Sequence, residues 1–149
     1  MINTQNGIID QLKEKLKNKN IKFYKVFLPK KRGLKDSKNT NDEYPFVLIR
    51  PFKSLKKDTF KMDSFEMILG IENNDIESGE KELFDFAKEI ISIFEENSCV
   101  QGRYNIDLNS IEEEFKADEY CVGDFWHYTI KLDTFAYEKE SKILERMGF

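Results

Sequence analysis

Apolar and polar residues along this chain fall into blocks whose period switches between helical and strand spacing. In Asn3–Asn18, Ile8, Ile9, Leu12 and Leu16 recur at three- and four-residue steps, while Asp10, Lys13, Glu14, Lys15 and Lys17 take the other face. That spacing predicts an amphipathic helix, with Asn3 or Thr4 able to cap its start and Asn18-Lys19-Asn20 ending it. Ile21–Leu28 (IKFYKVFL) is rich in β-branched and aromatic residues and is bounded by Pro29, which predicts a strand. Tyr44–Phe52 (YPFVLIRPF) is apolar on both faces, as in a strand covered on both sides. Pro45 and Pro51 sit near its ends, where missing N–H groups do least harm. Ser64–Glu72 alternates, with Phe65, Met67, Leu69 and Ile71 on one face. A basic connection joins these last two segments, which read as a hairpin.

The longest periodic block is Glu80–Asn97. Leu83, Ala87, Ile90 and Phe94 form one row, widened by Phe84, Phe86 and Ile91, and Ser78-Gly79 offers an N-terminal cap. So wide an apolar stripe requires a sheet to pack against. Two further segments follow, Tyr104–Phe115 and Phe125–Tyr137. In the second, Trp126, Tyr128, Ile130 and Leu132 alternate with His127, Thr129, Lys131 and Asp133, which is strand periodicity. In the first, Tyr104, Ile106 and Leu108 alternate, and Ser110–Phe115 admits either strand or helix. Gly123-Asp124 between the segments predicts an antiparallel pair. Lys139–Met147 carries Ile143, Leu144 and Met147 on one side of a short helix. The expected fold is a single α+β domain over residues 1–149. It has one mostly antiparallel sheet, a long amphipathic helix packed on one face, an N-terminal helix and a short C-terminal helix.

Composition narrows the function classes. A length of 149 residues suits one domain. Thirteen Phe and six Tyr argue against disorder, since disordered chains are poor in aromatics. With 28 acids against 24 bases, the formal charge of -4 lacks the basic excess of a dedicated nucleic-acid binder. Cys99 and Cys121 fit no metal or CxxC spacing and read as reduced thiols. The start, MINTQNGIIDQL, has no basic region followed by an apolar run, and no segment approaches ~18 apolar residues. The expectation is a protein made in the cytoplasm with no membrane partner.

Candidate chemistry is sparse. The one histidine, His127, would need Asp124, Cys121 or Asp133 as a partner, and one Cys with one His cannot close a zinc site. The plainer reading is a surface-facing strand histidine. Acids cluster at Glu72–Glu82 and Glu112–Glu119, where paired carboxylates can hold a divalent cation. The stretch Glu72-Asn73-Asn74-Asp75-Ile76-Glu77 lacks the EF-hand pattern and reads as a solvated acidic loop. Neither GxGxxG, GxxxxGK[ST] nor GxSxG occurs. The expectation is a non-enzyme with no cofactor and no metal.

The basic segments are more informative. Lys30, Lys31, Arg32 and Lys35 lie in a long loop, Pro29–Glu43, and Lys53, Lys56, Lys57 and Lys61 follow Tyr44–Phe52. Loops beyond ~12 residues in compact domains are usually functional or disordered. Ordinary solvated charge accounts for each group singly. Together with the acids Glu72, Asp75 and Glu77, they suggest opposite-sign patches suited to a heterologous, head-to-tail contact.

An N-terminal amphipathic helix precedes IKFYKVFL, then come YPFVLIRP and SFEMILGIE, the helix ELFDFAKEIISIFEEN and the aromatic strand GDFWHYTIKLDTFAY. This order of elements, over nearly the whole chain, resembles the tail-terminator (tail-completion) proteins of long-tailed phages and related contractile bacteriocins. It also resembles small neck proteins of the same virion region. The resemblance implies a homo-oligomer, a hexameric ring that caps the tail tube, stops its elongation and offers a docking surface to the head–tail connector or neck. Tail tube protein and connector would be partners, and DNA would pass through the ring without sequence-specific recognition. The location implied is the neck end of the virion tail, with assembly in the host cytoplasm. Another reading of the same features is a monomeric protein-binding regulatory or anti-defence module.

Overall fold

A computed structural model describes residues 2–28, 43–100, 102, 104–115 and 124–137. In chain order the elements are α1 (Ile2–Lys15), β1 (Lys22–Lys25), β2 (Phe46–Lys56), β3 (Phe60–Glu72), α2 (Ile76–Glu96), β4 (Cys99–Val100), β5 (Tyr104–Phe115) and β6 (Phe125–Tyr137). The chain is α+β, with two helices and one six-stranded sheet of order β1-β2-β3-β6-β5-β4 among the described residues.

Alternation in β3 and β6 builds the centre of that sheet. The two strands pair antiparallel along their full lengths, from Phe60↔Tyr137 to Glu72↔Phe125. Phe65, Met67, Leu69 and Ile71 stand opposite Leu132, Ile130, Tyr128 and Trp126, and Val47 and Ile49 of β2 extend the same rows. Successive side chains point to opposite faces, so this set shares one face. It joins Ile8, Ile9, Leu12 and Leu16 of the N-terminal segment and Leu83, Phe86, Ala87, Ile90, Ile93 and Phe94 of α2 in one buried cluster. Burial at ~25 cal/mol per Å² makes that cluster the main favourable contribution to folding.

Several expectations change in detail. The sheet is mixed, because β1 runs parallel to β2, with Lys22↔Phe46 through Lys25↔Ile49. A parallel neighbour needs a connection of a dozen residues or more, and residues 26–45 supply it. The β1 strand is shorter than the apolar run Ile21–Leu28. It stops where Val26 adopts φ 67°, a left-handed conformation that a β-branched residue rarely takes. The Ser110–Phe115 ambiguity resolves as strand within β5. Phe84 of the predicted stripe is 40% exposed, covered only in part by Phe115 and Tyr128. Residues 29–42 of the long loop and the expected C-terminal helix, Lys139–Met147, lie outside the described residues.

The α2 helix starts earlier than the Ser78-Gly79 cap suggests. Asp75 is its N-cap, accepting a hydrogen bond from the Ser78 amide at 3.1 Å, which satisfies one of the donors every helix start leaves open. Gly79 is then inside the helix and buried. A Cβ there would lie 2.6 Å from the Trp126 indole, so the absent side chain lets helix and β6 approach. Gly70 serves the same purpose in β3, where the Phe46 ring from the neighbouring strand lies over it; a Cβ would meet that ring at 2.2 Å.

Candidate functional site

The predicted basic connection Lys53–Lys61 is mostly strand. The β2 and β3 strands continue pairing past Pro51 to Lys56↔Lys61, with a register shift between Pro51 and Lys53. Lys53, Lys56 and Lys61 therefore stand on the far half of a long hairpin arm, whose β3 strand is also paired with β6, and Lys57 is at its turn. The alternation that marks a strand is hidden here because both faces of the β2 half of the arm are solvated. Phe52 and Leu55 are exposed on it, with Phe52 58% accessible and the Lys131 ammonium 5.1 Å from its ring centre. Lys56 directly opposes Lys61, a like-charge pair that disfavours the arm in isolation. Lys61 lies 3.9 Å from Asp63, whereas Lys53, Lys56 and Lys57 form no ion pair among the described residues.

The acids Glu72, Asp75 and Glu77 collect at the other end of the sheet. Lys61 and Glu72 lie eleven positions apart on β3, or roughly 36 Å at strand rise. The two predicted groups are thus separated in space as well as along the chain. Asp75 is committed to capping, and the predicted acidic loop is a folded helix start. Asn73 organises it: its amide donates to Ser78 Oγ at 2.9 Å and Glu82 Oε2 at 2.8 Å, and its Oδ1 accepts from the Asp75 amide. The Trp126 indole N–H donates to the Asn73 carbonyl at 2.9 Å, tying β6 to this turn. Glu72 and Glu77 remain exposed. Lys30, Lys31, Arg32 and Lys35 lie outside the described residues.

Opposite the buried cluster, the second sheet face is divided. At the β1 end, Phe46, Leu48 and Ile68 form an apolar floor beside Val26–Leu28, lining a cavity of about 380 Å³. His127 also borders it. Its ring nitrogen lies 2.8 Å from the Tyr44 hydroxyl, and the Tyr44 and Phe46 rings pack nearby, so it is a half-buried, bonded residue rather than a surface histidine. Asp133 is six positions further along β6, roughly 20 Å away, and accepts a hydrogen bond from Ser64 Oγ. Across the middle of this face runs a row of alternating charge, Arg50↔Glu66↔Lys131↔Glu112, spanning four strands. Arg50 meets Glu66 at 3.1 Å.

A strongly acidic segment missing from the predicted interface is Glu112-Glu113-Glu114 on β5. All three residues are exposed, and the strand's register slips between Asp107 and Glu112. Ser110 fills the gap, its hydroxyl donating to the Asp107 carbonyl and accepting from the Asp133 amide. A run of three glutamates in a segment open to strand or helix is the signal in the sequence. Glu113 accepts from the Tyr128 hydroxyl at 2.9 Å. Burial, with this carboxylate beside it, pushes the Tyr128 phenol up to about 12. Cys99 is a free, half-buried thiol in β4, and Cys121 lies outside the described residues. Among the described residues no group of three His, Cys, Asp or Glu is placed to hold a metal ion, and no helix is long and apolar enough to cross a membrane.

No protein-family model matches this chain, and no curated protein sequence matches it.

Proposed function

We propose that the protein is a structural virion subunit that assembles head to tail into a ring and caps the phage tail tube. On this reading the ring stops tube elongation and offers its other surface to the head–tail connector or a neck protein, without catalysis. The observation that carries it is the polarity of the sheet. Lys53, Lys56 and Lys57 are exposed at one end, while exposed acids gather elsewhere, Glu72 and Glu77 at the other end and Glu112, Glu113 and Glu114 on β5. Opposite charge on separate surfaces favours contact between unlike patches of identical chains, and such contacts close into rings when the rotation permits. The order of elements, which resembles tail terminators, supports the same reading. So does the cluster that α2 shares with β3 and β6: as a helical layer on one sheet face, α2 would stiffen the sheet and leave its edges and arm free for assembly.

Light scattering over a range of protein concentration and salt, with and without purified tail tubes, tests the proposal. A ring-sized species, alone or on addition of tubes, is expected. A monomer indifferent to tubes would overturn it in favour of a regulatory protein-binding module.

A further inference from the structure

The sheet ends in two edges, each covered over only part of its length. On one side β1 pairs only with Phe46–Ile49 of β2, leaving Arg50–Lys56 without a strand partner on that side among the described residues. On the other, β4 pairs only with Tyr104 and Asn105 of β5, leaving Glu112–Phe115 equally open among the described residues. Pro51–Lys56 and Glu112–Phe115 are all exposed. One open edge is basic, with Lys53 and Lys56 beside exposed Phe52 and Leu55. The other is acidic, with Glu112, Glu113 and Glu114 beside exposed Phe115.

Resting on the assembly reading above, we infer that the β2 arm of one copy meets the acidic β5 edge of the next, so that neighbouring copies join edge to edge. The geometry suits this contact in three ways. The strands β2 and β5 run in opposite directions within one sheet, since each step β2–β3–β6–β5 is antiparallel; copies placed side by side in the same orientation therefore bring the two edges together antiparallel. The open halves are offset. Ser54 shares its row with Asp63, Thr134 and Ile106, while Glu113 shares its row with Ile130, Met67 and Ile49. Matching them shifts one copy by four residues, roughly 13 Å, which moves β1 and β4 clear of each other. A fixed shift closes into a ring when the strands tilt to its axis.

Charge specifies the partner. Unpaired edges are commonly guarded by lysine, proline and bulges, and Pro51, the irregularity at Phe52 and the two lysines guard the β2 edge. Lysines that repel a second basic arm are attracted by a strand bearing three glutamates. The opposed pair Lys56↔Lys61 would gain an anionic neighbour on its open side.

Charge reversal on the full-length protein tests the contact, read by sedimentation velocity at low salt. Lys53→Glu with Lys56→Glu makes both edges acidic; Glu112→Lys with Glu114→Lys makes both basic. Each should weaken self-association on the order of tenfold or more, with circular dichroism unchanged, and an equimolar mixture should restore it because each variant supplies the edge the other lacks. Glu114→Lys alone, opposite Thr129 rather than Lys131, replaces the double change if that variant fails to fold. Wild-type-like association by either reversed variant, or a mixture that stays dissociated, overturns the edge contact while leaving ring assembly standing. A wild-type chain monomeric at every concentration and salt overturns it as a self-contact, and addition of tail tubes then decides the capping reading separately.

Discussion

Replacing Gly79 with alanine separates helix propensity from packing, because the two give opposite signs. Gly79 lies in the first turns of α2, and glycine inside a helix costs about 0.5–1 kcal/mol relative to alanine. By that measure Gly79→Ala should stabilise the protein. The structure argues otherwise, since the new methyl would sit 2.6 Å from two atoms of the Trp126 ring. The ring is not free to yield, as its N–H is bonded to the Asn73 carbonyl at 2.9 Å in the turn that caps the same helix. Overpacking of this kind costs ~1–3 kcal/mol, and a displaced indole would also lose a hydrogen bond worth ~0.5–1.5 kcal/mol. Setting these against the propensity gain leaves a net loss of ~1–3 kcal/mol, or a fall in Tm of about 3–10 °C for a domain of this size. Trp126 is the one tryptophan in the chain, so its fluorescence reports the event directly, and emission should shift to the red as the ring moves towards water. In a Trp126→Leu background the same Gly79→Ala change should instead raise Tm. A variant with higher Tm and unchanged emission would refute the packing of Trp126 on Gly79.

Other outcomes follow from the same structure. Gly70→Ala should cost ~1–3 kcal/mol through contact with the Phe46 ring, a loss that Phe46→Leu should relieve in denaturant titrations. Ile90→Ala, at a fully buried position, should cost ~2–5 kcal/mol. Phe84→Ala should cost only about 1–2 kcal/mol, because that ring is 40% exposed; equal losses in thermal melts would refute the burial difference. Tyr128, raised from 10.0 to about 12, favours its protonated form in the folded state. Its contribution to stability is therefore complete below pH 10 and is lost as pH rises towards 12. Alkaline unfolding compared with Tyr128→Phe, which should lack this drop, checks the sign.

Much of the fold is legible because period and burial coincide in its central elements. Phe65, Met67, Leu69 and Ile71 alternate in the sequence and are buried in the structure, and the β2–β3 and β5–β6 pairings join segments that are neighbours in the sequence. The basic arm is harder to read. Lys53–Lys56 has no regular apolar alternation to mark a face, so it resembles a loop while belonging to a long hairpin. The helix start differs from the expected one because Ser78-Gly79 looks like a cap, whereas Asp75 makes the bond and Gly79 is reserved for the indole.

The candidate interface divides along the same line. Local charge is a property of the sequence, so Lys53, Lys56 and Lys57 stand out as a group without any fold. Which acids could answer them depends on sheet order, and that is a non-local quantity. The acids at Glu72–Glu77 lie at the far end of β3 and are partly absorbed into a helix cap, while Glu112–Glu114 lie on an edge that is open among the described residues because β4 pairs only with Tyr104 and Asn105. Periodicity by itself determined which residues face the core, since burial follows from side chains repeating every two or 3.6 positions. Tertiary pairing alone decided which edges stay open and which charges they carry, because strand neighbours are set by contacts between residues far apart in the chain.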